Sequence, residues 1–391
     1  MPYCPICREE NCKKHTLLLG KPIKIEQFSG SSPPEIFVGR WNYPNVYTGI
    51  LSPTEHGNTQ LLSSPELWHS NNLQIPNILR LRNQLIYART SSNIKKLNTK
   101  FLSTMKEVAM TQNSIAAEFK LKKPISPNKE QDSRVPLISH AAPLKSARLT
   151  ENPKILPKVD YLVSDIHAKS KTALLELESS KIQTSTIIKI LSAGLLGIKK
   201  NRKLVPTRWA ITATDDTLSK EKLKKIKYFP EIQEYQVFHS EYLGNHYEFL
   251  LIPSTWEFEV IEISLKNYGV WHDHESLFPR RKYADSVTGA YYANRLALTE
   301  HLQKIKRQAS CLVMREVRPE YYAPLGVGIL RETSRSAFAS SPKKFSSQEE
   351  ALQDIQSRLR LPISRFTSSS LLLKNKKQQT KLRQFLKSQS S

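Results

Sequence analysis

Acidic side chains are scarce in this sequence. There are 35 Asp and Glu against 59 Lys and Arg, which leaves a formal charge of +24 over 391 residues. That excess sits poorly with an enzyme of small neutral metabolites and favours a polyanionic neighbour, nucleic acid or an anionic membrane face. Cysteine is scarcer still, with four residues, too few for a disulfide scaffold in a chain of this length. Long apolar runs are missing too: the longest, 186–198, is interrupted by Lys189 and is too short to span a bilayer. The N-terminus opens on cysteines and charges where a secretory segment would place its apolar stretch. The chain contains no Walker-type glycine loop and no serine-nucleophile elbow, and Gly194-x-x-Gly197 is too short to cradle a phosphate. Together these absences predict a soluble protein of a reducing cytoplasm that does not enter a membrane.

Hydrophobic residues make up 39% of the chain, enough for a sizeable core, and the length suggests two or three units. The pattern predicts a mixed α+β fold in four regions: a knuckle over 1–20, an N-terminal region over 21–228, a C-terminal region over 229–340, and a helix with a flexible basic tail over 341–391. In the first half, 37–40 and 46–47 read as short strands and 78–88 as a helix. The Pro-, Ser- and Lys-rich segment 122–157 reads as a long surface connection, followed by helices over 165–179 and 184–192. Past Thr207 a basic helix is expected over 216–227, capped by Asp215 or Asp216. Apolar runs at 235–238, 247–252 and 258–263, the amphipathic segment 291–305 and the run 310–314 then predict a helix packed on a mostly antiparallel sheet. Ser346-x-x-Glu349 reads as a capping box. Residues 361–391 hold seven Lys or Arg and no acid, the composition of a flexible tail.

Three of the four cysteines crowd into the first dozen residues. Cys4-x-x-Cys7-x4-Cys12-x-x-His15 offers three thiolates and an imidazole in two close pairs, a donor set that suits one tetrahedral Zn2+. A segment this short has no core of its own, so the metal would supply its folding energy.

At the other end, Gln379-x-x-Leu382-x-x-Phe385-Leu386 matches the peptide pattern that docks on the PCNA sliding clamp, the PIP motif. One tight helical turn sets Leu382 and Phe385 on the same face with Leu386 beside them, a small apolar plug for a groove. Lys374, Lys376 and Lys377 lie just ahead of it and would attract an acidic clamp or the DNA threaded through it.

The body of the chain resembles the archaeal Nre family of DNA-repair proteins. The blocks that carry the likeness are Ser31–Arg40 with Tyr43-Pro44-Asn45-Val46, Leu204–Ala213, Tyr291–Leu296, and Arg315–Tyr321 continuing to Leu325-Gly326-Val327. The glycine that the family pattern puts before Tyr43-Pro44 is Asn42 here, and the serine expected after Trp209 is Ala210. The cysteine head also departs from the four-cysteine arrangement associated with other members. The resemblance implies participation in DNA-damage repair together with PCNA, near the archaeal nucleoid and among other repair proteins. It implies no particular reaction.

Whether the body is an enzyme stays open at this point, with a nucleotide- or DNA-modifying activity tethered to the clamp as the alternative. Arg40 and Arg208 stand in the densest motif blocks and are candidate phosphate or DNA contacts, because guanidinium groups fork onto phosphate oxygens. His272-Asp273-His274-Glu275 alternates metal-ligand types but reads better as a solvated loop. Arg315, Glu316, Arg318, Arg331, Glu332 and Arg335 read as charge-paired positions or as the lining of an anion cleft.

Overall fold

The segment Ile115–Leu121 buries every second side chain, the signature of a strand with one face on a core. Its place in the fold comes from a computed structural model, which describes residues 25–128 and 132–378. The chain divides into two compact units, Met1–Leu218 with Tyr322–Ile329 and Ser219–Tyr321 with Leu330–Ser391.

The first unit is built on β1 (Gln27–Ser32), β2 (Ile36–Val38), β3 (Asn45–Ser52), β4 (Ile86–Asn93), β5 (Ile115–Leu121), β6 (Ser126–Pro127) and β7 (His140–Leu149). They form one sheet in the order β1-β5-β7-β4-β3-β2, with β6 paired to β7. All pairings are antiparallel except β4 with β7. Phe28 stacks on Phe119 at 4.6 Å across the β1–β5 pair. Such an aromatic pair adds about 0.5–1.5 kcal/mol beyond the area it buries. Gly49 is required by close approach, since a Cβ there would lie 2.4 Å from the Ala88 carbonyl and 2.6 Å from the Tyr87 ring.

The sheet overturns the expectation of a surface connection over 122–157. β7 lies inside the sheet and buries Ala141, Ala142, Leu144 and Ala147. Its alanines and serines hid the strand, and so did Pro143, which strand interiors normally refuse because it donates no ladder bond. Here Pro143 falls where β7 stops pairing with β4 and, from Leu144 on, pairs with β5. The helix expected over 78–88 is Ile75–Asn83, and β4 begins at Ile86. The one expected over 165–179 is Ser170–Ser179, and a further helix, Pro157–Ser164, precedes it where none was expected. The helix expected from residue 216 starts at Thr207 and runs to Ile226, behind Pro206. Asp215 is therefore buried in its middle and neither aspartate caps it.

The second unit carries β8 (Tyr235–Tyr242), β9 (Asn245–Ile252), β10 (Glu257–Ser264), β11 (Val270–Glu275), β12 (Ser310–Val317) and β13 (Lys343–Phe345). Their order is β11-β10-β12-β9-β8-β13, and only β10 and β12 run parallel. β8 and β9 form a hairpin that turns at Leu243-Gly244, both with positive φ, as a two-residue turn between right-twisted strands demands. β9 is buried at all eight positions because both faces of the sheet are covered. Tyr247, Phe249 and Leu251 face the helix Gly289–Ile305, while Leu250 and Ile252 face Ala351, Ile355 and Phe366.

The capping box sits one residue later than expected, with Ser347 and Glu350 exchanging bonds at the start of the helix Gln348–Gln356. The segment His272–Glu275 is part of strand β11 rather than a loop. Residues 364–367 and 371–378 are helical, and Phe366, Leu372 and Leu373 are buried. Up to Gln378, then, the expected flexible tail is packed. Its apolar residues are few; Phe366, Leu372 and Leu373 join the core on the sheet, while Leu371 stays exposed.

Candidate nucleic-acid interface

The two conspicuous arginines of the sequence meet at one carboxylate. Arg40 lies on the turn after β2, and Arg208 on the first turn of the helix Thr207–Ile226. The Arg40 Nε donates to Asp132 Oδ2 at 3.2 Å, and the Arg208 Nη1 donates to the same oxygen at 3.3 Å. The other oxygen, Oδ1, accepts from the Arg134 backbone N–H at 3.1 Å. Asp132 is nearly buried, with a side chain 9% exposed, whereas Arg40 and Arg208 keep 31% and 24%. Two guanidinium groups around one carboxylate leave a formal surplus of one positive charge. Arg208 Nη1 also reaches Oδ1 at 3.5 Å, and among the described residues neither guanidinium makes a hydrogen bond to any side chain but Asp132.

Local structure fixes this convergence. The Val38 backbone N–H donates to Thr207 Oγ1 at 3.0 Å, which ties β2 to the start of the long helix. Thr207 Oγ1 also lies 3.2 Å from Ser192 Oγ, at the end of the helix Thr184–Ser192. Lys189 on that helix pairs with Glu35 at 3.1 Å. In the β2–β3 loop, Asn42 has φ 60, the left-handed region that asparagine tolerates better than most residues. Asn42 therefore accepts the backbone role of the glycine expected there.

Aromatic rings lie beside the arginines. The Arg40 guanidinium sits 3.9 Å over the Trp41 ring, a cation–π contact. Tyr43 and Trp209 approach each other at 5.3 Å. All three rings are exposed, Trp41 to 50% and Tyr43 and Trp209 to 44%. Hydrogen bonds from Ile94 N to Pro44 O and from Leu204 N to Ile94 O draw the loops around 94 and 204 to the same place. Those loops carry the exposed Lys95, Lys96, Lys199, Lys200 and Lys203.

Sequence reasoning found Arg40 and Arg208 but missed Asp132 and the rings. One signal was available: the dipeptide Arg-Trp occurs as Arg40-Trp41 and again as Arg208-Trp209.

The other described candidate residues belong to the second unit. Lys376 pairs with Glu257 at 3.2 Å and donates to Ser254 Oγ at 2.7 Å, so its charge serves the packing of the 371–378 helix. Lys374 and Lys377 are exposed. Glu259 receives the backbone N–H groups of Leu371 and Leu372 at the start of that helix, at 2.7 and 3.2 Å. The imidazoles of β11 face the same glutamates, His272 on Glu259 at 2.5 Å and His274 on Glu257 at 2.8 Å. Asp273 points to the opposite face, where it holds Arg280 and the Val287 N–H. No cluster among the described residues is suited to a metal. Cys4, Cys7, Cys12, His15 and the residues Gln379, Leu382, Phe385 and Leu386 lie outside the described residues.

In the second unit the expected charge pairs form. Arg315 holds Glu262 at 2.5 Å, Arg318 bridges Glu316 and Glu241, and Arg335 joins Glu300 to Glu332. Arg358 grips Glu248 with two parallel bonds, and Arg295 pairs with Glu275 where both are fully buried. Breaking a buried pair of that kind costs about 3–5 kcal/mol. Arg315 and Glu316 are thus used in ion pairs within the second unit.

Two mixed sheets covered by helices, with a basic aromatic patch on the first unit, define an α+β protein, and none of its described helices is long and apolar enough to cross a membrane. The chain belongs to the archaeal Nre family: the model of the Nre N-terminal region matches residues 1–272 and that of the C-terminal region residues 275–385. It is 34% identical to the DNA repair protein NreB of Archaeoglobus fulgidus over 359 residues, 90% of each chain. To the DNA repair protein NreA of the same organism it is 36% identical over 89% of this chain and 90% of the relative. The DNA repair protein NreA of Haloferax volcanii is 32% identical over 85% of this chain and 83% of its own. No solved structure matches.

Proposed function

We propose that this chain serves DNA-damage repair and is held at DNA by the PCNA sliding clamp. The observation that carries the clamp reading is the spacing Gln379-x-x-Leu382-x-x-Phe385-Leu386. DNA repair is the role named for the relatives in both archaea. The Arg40–Arg208 patch supports a direct contact with DNA phosphates, assisted by the exposed Lys374 and Lys377. A peptide anchor of this kind raises the concentration of the body at DNA without a tight single contact. The work is placed in the cytoplasm at the nucleoid, with other repair proteins as further partners.

The donor set Cys4, Cys7, Cys12 and His15 fits a structural Zn2+, which would order the N-terminus and supply no reaction step. The arginine-rich network of the second unit is paired internally, and so supports a binding protein over an enzyme.

Calorimetry of the full chain with purified archaeal PCNA tests the anchor. Phe385→Ala should abolish binding while the far-ultraviolet circular dichroism stays the same. An unaltered Kd in that variant overturns the assignment of the motif.

A further inference from the structure

We propose that the patch around Asp132 binds a nucleotide that has left the duplex, with its base stacked on the exposed rings and its phosphates on Arg40 and Arg208. The inference rests on the DNA reading above and adds the form of DNA recognised. A site that reads only a duplex backbone needs cations and hydrogen-bond donors, and the arginines and lysines already supply those. Three half-exposed rings serve no such purpose. Trp41, Tyr43 and Trp209 leave about half their surface in water instead of packing it in the core.

Their arrangement suits stacking. One face of Trp41 is covered by the Arg40 guanidinium at 3.9 Å, which fixes the ring. Tyr43 and Trp209, at 5.3 Å and inclined by 55°, are too close to admit a base between them. A base therefore caps the outer surface of the pair. Every base has a π-face, so stacking of this kind tolerates any sequence and requires only that the base be unpaired.

The guanidinium groups are set for the flanking phosphates. Asp132 takes one nitrogen from each and holds both planes, and among the described residues the remaining guanidinium N–H donors of Arg40 and Arg208 have no side-chain partner and are open to an anion. Arg208 also occupies the first turn of its helix, where the macrodipole disfavours a cation. A bound phosphate there would offset that repulsion.

The test is fluorescence anisotropy of the full chain with a labelled oligo-dT and with a blunt duplex of the same length, together with quenching of tryptophan emission. The wild type should prefer oligo-dT. Trp41→Ala and Trp209→Ala should each weaken oligo-dT binding roughly tenfold or more and reduce the quench, and Trp209→Phe should restore most of the affinity. Thermal unfolding of each variant reports whether it is folded, and the phenylalanine variant keeps the test decisive if the alanine one is not. Equal affinity of the wild type for both forms, or oligo-dT affinity indifferent to both alanine variants, overturns the stacking proposal and leaves the DNA reading standing. Tighter binding of oligo-rU than of oligo-dT overturns the assignment to DNA. Failure to bind either DNA form overturns both readings together.

Discussion

Arg40 and Arg208, remote in sequence, donate to the same oxygen of Asp132 at 3.2 and 3.3 Å. Two cations this close repel each other unless an anion lies between them, and one carboxylate neutralises only one of the two. The residual charge sits at a surface that keeps both guanidinium groups partly in water. That is the electrostatic state of a site with room for a further anion.

If that anion is a DNA phosphate, Arg208→Gln should weaken binding to DNA and lower the slope of log K against log salt by about one. Arg40→Gln should act alike. The measurement is anisotropy at several salt concentrations, and a slope equal to that of the wild type in both variants would remove the phosphate role.

The docking of the 371–378 helix should depend on pH. Burial raises the carboxyl of Glu257, but hydrogen bonds from His274 and Asn375 and the charge of Lys376 outweigh it and hold the group below its ordinary value of 4.5. A carboxyl lowered on folding binds fewer protons than it does in the open state. Its contribution is present above 4.5 and is lost as the pH falls through the lowered folded value. Hydrogen exchange should therefore show residues 371–378 opening at acid pH before the strands of the second sheet. Glu257→Gln should loosen the helix already at neutral pH and flatten that response. Exchange independent of pH in the wild type would refute the link.

Metal analysis of the purified chain should find one Zn2+ bound per chain, released by a strong chelator. Cys4→Ser or Cys7→Ser should release it as well, with the melting of the two sheets little altered because both have cores of their own. A wild type free of zinc when purified without chelator would refute the knuckle.

Much of the second unit was legible from sequence. β9, β10 and β12 are apolar runs because both faces of their sheet are covered. The helix expected over 291–305 is present as Gly289–Ile305, but it is buried on all sides from Gly289 to Thr299 and leaves Ile305 exposed, so it is not the one-faced amphipathic helix its pattern suggested. β7 was not legible, because small and polar residues fill a strand whose pairing partners change at Pro143. The start of the helix at Thr207 was hidden by threonines with low intrinsic preference for helix, and a bond from the Val38 N–H to Thr207 holds it there. The tail from Ser364 to Gln378 looked disordered from composition, yet Phe366, Leu372 and Leu373 are enough to seat it.

The sequence by itself determined the basic charge, the mixed α+β class, the family likeness and the two arginines worth watching, since these follow from composition, periodicity and local motifs. Only the tertiary structure decided that Arg40 and Arg208 share Asp132, that Trp41, Tyr43 and Trp209 stay exposed beside them, and that Arg315 and Glu316 are used elsewhere. The reason is physical: charge and periodicity are properties of neighbours along the chain, whereas a shared carboxylate or an exposed ring depends on which distant segments the sheet and its hydrogen bonds bring together.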